Sequence, residues 1–447
     1  MLRNSPAAFM VVALMLASGF VPSGAQNLPT PAEILSEHYA STRVPDRVIL
    51  TWTSDPATSQ AVTWRMAAPA GTAVAELAEA TASPKFGQGA ERFDATTSAM
   101  ILDGVSSFHH TVNFTGLTPD TLYAYRVGDG QIWSEWCHFR TAKRESAPFS
   151  FIYFGDAQNQ IKSLWSRVIR QAYSNLPDAS FMLHAGDLVN VPHSDLEWGE
   201  WFEAGGWLNC STPSIATPGN HEYRDGKLSP QWRPHFAFPH NGPAFPGLEE
   251  TVYYLDYQGV RFISLDTEAM VDAGGPAVAV AQARWLDEVL KTNPHRWTIV
   301  THHRPMFSAR ASRTNSFLLN YYIKPLYEKY GVDLVLQGHD HSYARGENLS
   351  LGGRVLGRHG VPMYVVSVSG PKMYPGGADW PERSLTGTQL YQLVTVDGDR
   401  LRFEAYTATG ELFDAFELHK AADGTSEVLE FPTSDAVRRE AATAVAD

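Results

Sequence analysis

Five times in this sequence an apolar run of strand character ends in a short turn that opens with a residue able to ligate a metal. FSFIYFGD ends in Asp156, SFMLHAGD ends in Asp187, SIATPGNH delivers Asn220 and His221, WTIVTHH delivers His302 and His303, and VDLVLQGHDH delivers His339 and His341. Carboxylate and amide oxygens mixed with imidazole nitrogens suit Zn, Mn or Fe(II), and the absence of nearby Cys speaks against a structural zinc knot. Two acids and several histidines suffice for two ions. Such ions, about 3.5–4 Å apart, share a carboxylate and a hydroxide and clamp the attacking and leaving oxygens of a phosphate ester. One GD or GNH taken singly is a common turn or helix cap. The series, in this order and always after a strand, is far harder to obtain without a shared site.

The elements that must position these residues follow from the pattern around them. From Phe149 onward, apolar runs alternate with segments of helical periodicity such as SLWSRVIRQAY and AQARWLDEVL, which predicts α/β architecture. In open α/β sheets ligands bind beyond the carboxyl ends of the strands, so donors far apart in sequence converge there. Glycines at 155, 186, 219 and 338 permit the tight turns this requires. Before that region, residues 43–141 hold short β-rich runs separated by turn signals, which predicts a β-sandwich. The polar stretch TAKRESAP separates the two. Near the end, YQLVTVDGDRLRFEAYTATGELFDAFEL reads as three strands completing a sheet edge, and the tail from residue 421 to 447 reads as disordered.

Composition bounds the class. Across 447 residues, 44% are hydrophobic and 19% charged, enough apolar material for packed cores and a length that favours more than one domain. Residues 1–25 place Arg3 ahead of an apolar run and a small-residue cleavage site, so they read as a signal peptide for export to the periplasm or exterior, with 26–42 as the mature amino-terminal segment. No later run is long enough to span a bilayer, so no membrane anchor is expected. A net charge of −13 disfavours nucleic acid as a partner. Cys137 and Cys210 are the only cysteines, leaving open one disulfide or two buried thiols. Trp198, Trp201 and Trp207, between two of the motifs, read as packing residues.

The ordered motifs GD, GD, GNHE, VTHH and GHDH resemble those of the metallophosphoesterase superfamily. With the preceding sandwich, whose LTPDTLYAYRVGDG segment resembles the late strands of a fibronectin type III domain, they resemble purple-acid-phosphatase-like proteins in particular. That resemblance implies a four-layer αββα fold over residues 149–420. It also implies that Asp156, Asp187 and His341 hold one metal while Asp187, Asn220, His303 and His339 hold the other. His221 then matches the histidine that contacts the phosphate and protonates the leaving oxygen. The expected activity is hydrolysis of small phosphate monoesters by a metal-bound hydroxide. The alternatives are a phosphodiesterase or nucleotide pyrophosphatase on the same scaffold, and a non-catalytic binding protein with a degenerate site. Two departures matter: Asn190 stands where the purple enzymes have a ligand Tyr, and Gln158 where they have Gly and many other members have His. Without a phenolate, two divalent ions are expected, with Gln158, Asn190 and His302 as further ligands or supporting groups. Arg304, Arg310 and Arg313 occupy the loop in which plant enzymes carry substrate-contacting histidines.

Overall fold

In the computed structural model, which describes residues 30–67, 73–102, 105–347 and 362–431, the early β-rich runs pair into two antiparallel four-stranded sheets. One has the order Asp46–Thr51, Ser59–Met66, Val105–Thr115, Thr96–Leu102, and the other Glu91–Asp94, Val74–Glu79, Leu122–Gly128, Cys137–Arg140. Alternation along these strands sends Val62, Trp64, Val112, Phe114, Tyr125, Val127 and Phe139 into one core between the sheets. A short helix, Pro31–His38, precedes them. The signal-peptide reading of residues 1–25 falls outside the described residues.

The second part of the chain is built on two seven-stranded sheets. The first runs Ser214–Ala216, Met182–His184, Phe149–Phe154, Leu390–Asp397, Arg400–Thr407, Leu412–Lys420, Ser426–Glu430. The second runs Tyr253–Tyr257, Val260–Ser264, Trp297–Thr301, Leu334–Gln337, Met363–Val366, Tyr343–Gly346, Arg383–Leu385. Strands that lead into the motif turns are parallel to their neighbours and read as unbroken apolar runs, as expected of strands covered on both faces. Phe151, Ile152 and Val394 of the first sheet share a core with Phe262, Ile299, Leu334 and Val365 of the second, so the sheets pack face to face. Helices cover the outsides: Ser166–Asn175 lies on the first sheet, while Gly275–Lys291 and Lys324–Tyr330 bury Leu286, Leu290 and Tyr327 against the second. This is the four-layer arrangement of helix, sheet, sheet and helix.

Two expectations need correction. The strands at 390–420 do not close an edge: Leu390–Asp397 pairs directly with Phe149–Phe154 in the middle of the sheet. Strand pairing is non-local, and alternation along a strand says nothing about its neighbour. The tail is ordered further than its composition suggests, because Ser426–Glu430 pairs with the Phe416–Lys420 end of the preceding strand and forms the true edge. The rest of that tail, from residue 432, lies outside the described residues. Trp198 and Trp201 are buried in the core, whereas Trp207 is 55% exposed and meets Tyr173 edge-on.

From Tyr39 on, the described chain forms one compact body. Arg65 of the sandwich, buried, forks onto both oxygens of Asp195 at 3.2 and 3.0 Å and onto Asp46 at 2.9 and 2.7 Å. Asp195 opens the helix Asp195–Gly205 of the second part, where a carboxylate is favoured by the exposed N–H groups and the dipole. Tyr125 of the sandwich donates to the carbonyl of Cys210 at 2.8 Å, and Cys210 is itself disulfide-bonded to Cys137 across a separation of 73 residues. In the loop-entropy account a closure of that length stabilises by about 4 kcal/mol. Replacing both cysteines by Ser is therefore expected to lower the thermal unfolding midpoint by several degrees, measured on oxidised samples. An unchanged midpoint would show that the bridge constrains nothing that the packed interface does not already hold.

Candidate metal centre

The two sheets end side by side, and their motif turns meet. The first sheet supplies Asp156, Asp187 and Asn220 just past three adjacent parallel strands; the second supplies His303, His339 and His341 past Trp297–Thr301 and Leu334–Gln337. The turns demand unusual backbone. Asp187, His339 and His341 all adopt left-handed conformations, with φ of 53°, 75° and 48°, a region that Asp and His tolerate better than most residues. Close approach requires glycine beside them. A Cβ on Gly219 would sit 2.2 Å from Asp187 Oδ1, and one on Gly338 would sit 2.3 Å from Asp156 Oδ1.

The result is a pair of donor groups with one member in common. Asp187, His303 and His339 form one set and Asp156, Asp187 and His341 the other, with the ligand atoms of each set within 4.8 Å of one another. Asp187 Oδ2 lies 3.2 Å from His303 Nε2, and Asp156 Oδ2 lies 3.2 Å from His341 Nε2. Asn220 Oδ1 and His339 Nδ1 approach His303 Nε2 at 3.3 and 3.2 Å. The rings are oriented from behind. His303 Nδ1 donates to the Ala185 carbonyl at 2.8 Å and His341 Nδ1 to that of Lys372 at 2.9 Å, so each presents its Nε2 lone pair inward.

Buried carboxylates at this constellation call for a balancing positive charge. Burial raises the Asp156 carboxyl, and the neighbouring Asp187 charge adds to that against the pull of His303. Burial also opposes ionisation of Asp187, yet the His303 imidazole beside it holds its carboxyl below the usual range. Burial alone would keep His303 neutral, but Asp187 and Asp156 raise it to about 10. Among the side chains by themselves, the balancing positive charge is a proton on His303. A divalent ion in the same place neutralises the acids and requires that proton to leave. Among the described residues, Asp156 Oδ2 and Gln158 Oε1 are buried with no hydrogen-bond partner, as donor atoms of a metal site would be.

Comparison with known proteins bears on the family and the fold. Residues 45–141 match the family described as purple acid phosphatase, N-terminal domain, and residues 149–343 match the calcineurin-like phosphoesterase family. The chain is 29% identical to acid phosphatase type 7 of Mus musculus over 67% of this chain and 70% of that protein. It is 26% identical to purple acid phosphatase 15 of Arabidopsis thaliana over 56% of this chain and 51% of that protein. Among solved structures, a purple acid phosphatase from yellow lupin seeds shares the fold with a TM-score of 0.70 at 18% identity, covering 86% of this chain and 75% of that one. The chain is a purple-acid-phosphatase-like metallophosphoesterase.

Within this metallophosphoesterase the remaining sequence candidates fall into different places. Gln158 reaches into the cluster, its Nε2 lying 2.9 Å from Asp187 Oδ2 and 3.0 Å from His341 Nε2. Asn190 takes part through its backbone: its carbonyl accepts from His221 Nδ1 at 2.6 Å, which leaves His221 Nε2 as the outward nitrogen. His221 in turn donates its backbone N–H to Asp187 Oδ1 at 2.8 Å. His302 faces away, donating to the Arg304 carbonyl at 2.8 Å and stacking on Tyr327, so it supports the wall rather than the cluster.

Sequence reasoning missed two residues that hold the site together. Glu222, fully buried, accepts from the backbone N–H groups of Asp187, Leu188 and Gly219 at 2.8, 2.8 and 2.7 Å, joining two motif turns. Burial and the Asp187 charge raise its carboxyl. Asp340, between His339 and His341, accepts from Ser308 Oγ, the Ala309 N–H and Arg313 Nη1 at 2.8, 2.6 and 2.6 Å. Their only sequence signal was position, inside GNHE and GHDH. Glu222→Gln preserves shape but turns an NH₂ group toward backbone N–H donors, stranding at least one at about 1–3 kcal/mol. It is expected to lower both the thermal midpoint and the metal content after reconstitution, read by calorimetry and elemental analysis. Wild-type values for both would remove Glu222 from this role.

Proposed function

We propose that this chain hydrolyses small phosphate monoesters at a centre of two divalent ions. Asp156, Asp187 and His341 would hold one ion, and Asp187, Asn220, His303 and His339 the other, with the Gln158 amide nitrogen facing Asp187 and His341 in support of the first set. The observation that carries this reading is that Asp187 belongs to both donor groups, as a bridging carboxylate must. When bound, two such ions lower the pKa of water and neutralise the phosphate oxygens. The protein's own groups do the rest. The turns hold six donors on strands of two packed sheets, so little reorganisation is needed. His221, its Nδ1 committed to the Asn190 carbonyl, offers Nε2 to the ester oxygen that departs. With no tyrosine at position 190, a neutral side chain stands where a phenolate would favour a trivalent ion, which supports two divalent metals.

The relatives named as acid phosphatases support the monoester assignment. Export belongs to the same reading, supported by the amino-terminal sequence and by the disulfide, which forms and persists in oxidising compartments. The likeness of the sandwich to fibronectin type III domains rests on the sequence of its late strands.

Asp187→Asn removes the shared charge while keeping size, so activity on 4-nitrophenyl phosphate should fall by at least about 100-fold, with circular dichroism unchanged. Full activity in that variant would refute the assignment. Chelation should abolish turnover, and reconstitution should restore it with two divalent ions per chain by elemental analysis. Faster cleavage of bis(4-nitrophenyl) phosphate than of the monoester would move the assignment to the phosphodiesterases.

A further inference from the structure

Beside the candidate metal centre lies a cleft of ≈ 720 Å³ whose lining includes Asn220, His339, Arg304, Arg313 and Phe317. Whatever is attached to a phosphate held at the centre has this space to occupy. Its polar groups are therefore those that meet the leaving group.

The two arginines are fixed differently from surface arginines. Arg313 is pinned at one end, where Nη1 donates to Asp340 Oδ1 at 2.6 Å and to the His339 carbonyl at 3.4 Å. Asp340 is fully buried and also holds Ser308 and Ala309, so the loop bearing Arg313 is tied to the segment that carries His339 and His341. No described residue engages Arg313 Nε or Nη2, and the side chain is 27% exposed. Arg304 is the framework cation. Its Nε and Nη2 bind buried Glu268 at 2.8–2.9 Å, and Nη2 also binds Asp272 at 2.6 Å, so its charge is balanced within the wall. Asp272 faces the cleft too and disfavours anions near that wall, which leaves Arg313 as the fork with unspent donors. A guanidinium whose position is already set loses little freedom when it binds, and its remaining N–H pair matches the oxygens of a phosphate.

We propose that Arg313 reads a second phosphate on the leaving group, so that the cleft selects phosphoanhydrides and bis-phosphorylated esters over esters with an uncharged leaving group. This rests on the hydrolytic reading above. For a nucleoside diphosphate, water oxygen forms a bond to the terminal phosphorus and the bond from that phosphorus to the bridging oxygen breaks. The nucleoside monophosphate departs with the bridging oxygen, which takes a proton, and its own phosphate is the group that meets Arg313.

The test uses the full-length, metal-loaded protein and compares ADP with AMP, whose common base cancels any contact with Phe317. Arg313→Met removes the cation. Arg313→Lys keeps a positive charge opposite Asp340 but lacks the second fork nitrogen, so it covers the case in which the Met variant fails to fold. The ratio of kcat/KM for ADP to that for AMP should fall by about tenfold or more in Arg313→Lys, with unchanged metal content. A ratio within twofold of wild type would overturn the proposal, as would equal losses on both substrates. Should the wild type cleave 4-nitrophenyl phosphate but neither nucleotide, the hydrolytic reading stands and binding decides the inference; should it cleave none of the three, the hydrolytic reading fails and binding still decides. Calorimetry with the non-hydrolysable α,β-methylene analogue of ADP and the phosphonate analogue of AMP should then show a preference for the former that Arg313→Lys loses. Equal affinities in the wild type would sink the inference.

Discussion

A carboxylate with almost no access to water, Asp187, is the point around which this molecule is organised. Against burial, its carboxyl is kept ionised by His303 and by the backbone N–H of His221, and its own backbone is tied to the next motif turn through Glu222. Every strand that ends at the centre must reach its terminus at the right height and angle for that charge to be balanced. The two sheets therefore cannot slide relative to one another without exposing unpaired charge in a dry junction. The apolar packing between the sheets supplies the bulk of the stability, while the polar junction sets the register.

Local irregularity follows from that constraint. Three of the donor residues sit in left-handed backbone, and two glycines lie so close to carboxylate oxygens that any side chain would collide with them. Strain of this kind persists where the surroundings over-determine it. Here the surroundings are two sheets covered by helices, with hydrogen bonds to the Ala185 and Lys372 carbonyls and to the Glu222 carboxylate locking the individual groups.

Much of this was legible in the sequence because the donors are punctuated: each motif turn follows an apolar strand, and four of the five turns carry a glycine, a pattern with a definite structural meaning. The αββα architecture, the sandwich ahead of it and the neighbourhood of Asp156, Asp187, Asn220, His303, His339 and His341 could be anticipated on that basis. Glu222 and Asp340 could not be given roles, because they act on backbone N–H groups and side chains that approach only in three dimensions. Arg313 read as one loop arginine among several until Asp340 was seen to hold one of its ends. Strand order failed for a similar reason. Leu390–Asp397 looks the same whether it lies at the rim or, as here, against the first strand of the sheet. The polar composition of residues 426–430 hid an edge strand, which needs only one apolar face.

The sandwich and the phosphoesterase part also share more than a linker. Arg65, buried, and Asp195, partly exposed, form a forked ion pair across their junction, and Tyr125 reaches the carbonyl of Cys210. The bridge from Cys137 to Cys210 adds a covalent closure that encloses the whole connecting segment and the first two motif turns. A protease that nicks the backbone anywhere between those cysteines leaves both fragments attached, so a molecule clipped there would not shed its amino-terminal part while the bridge stays oxidised.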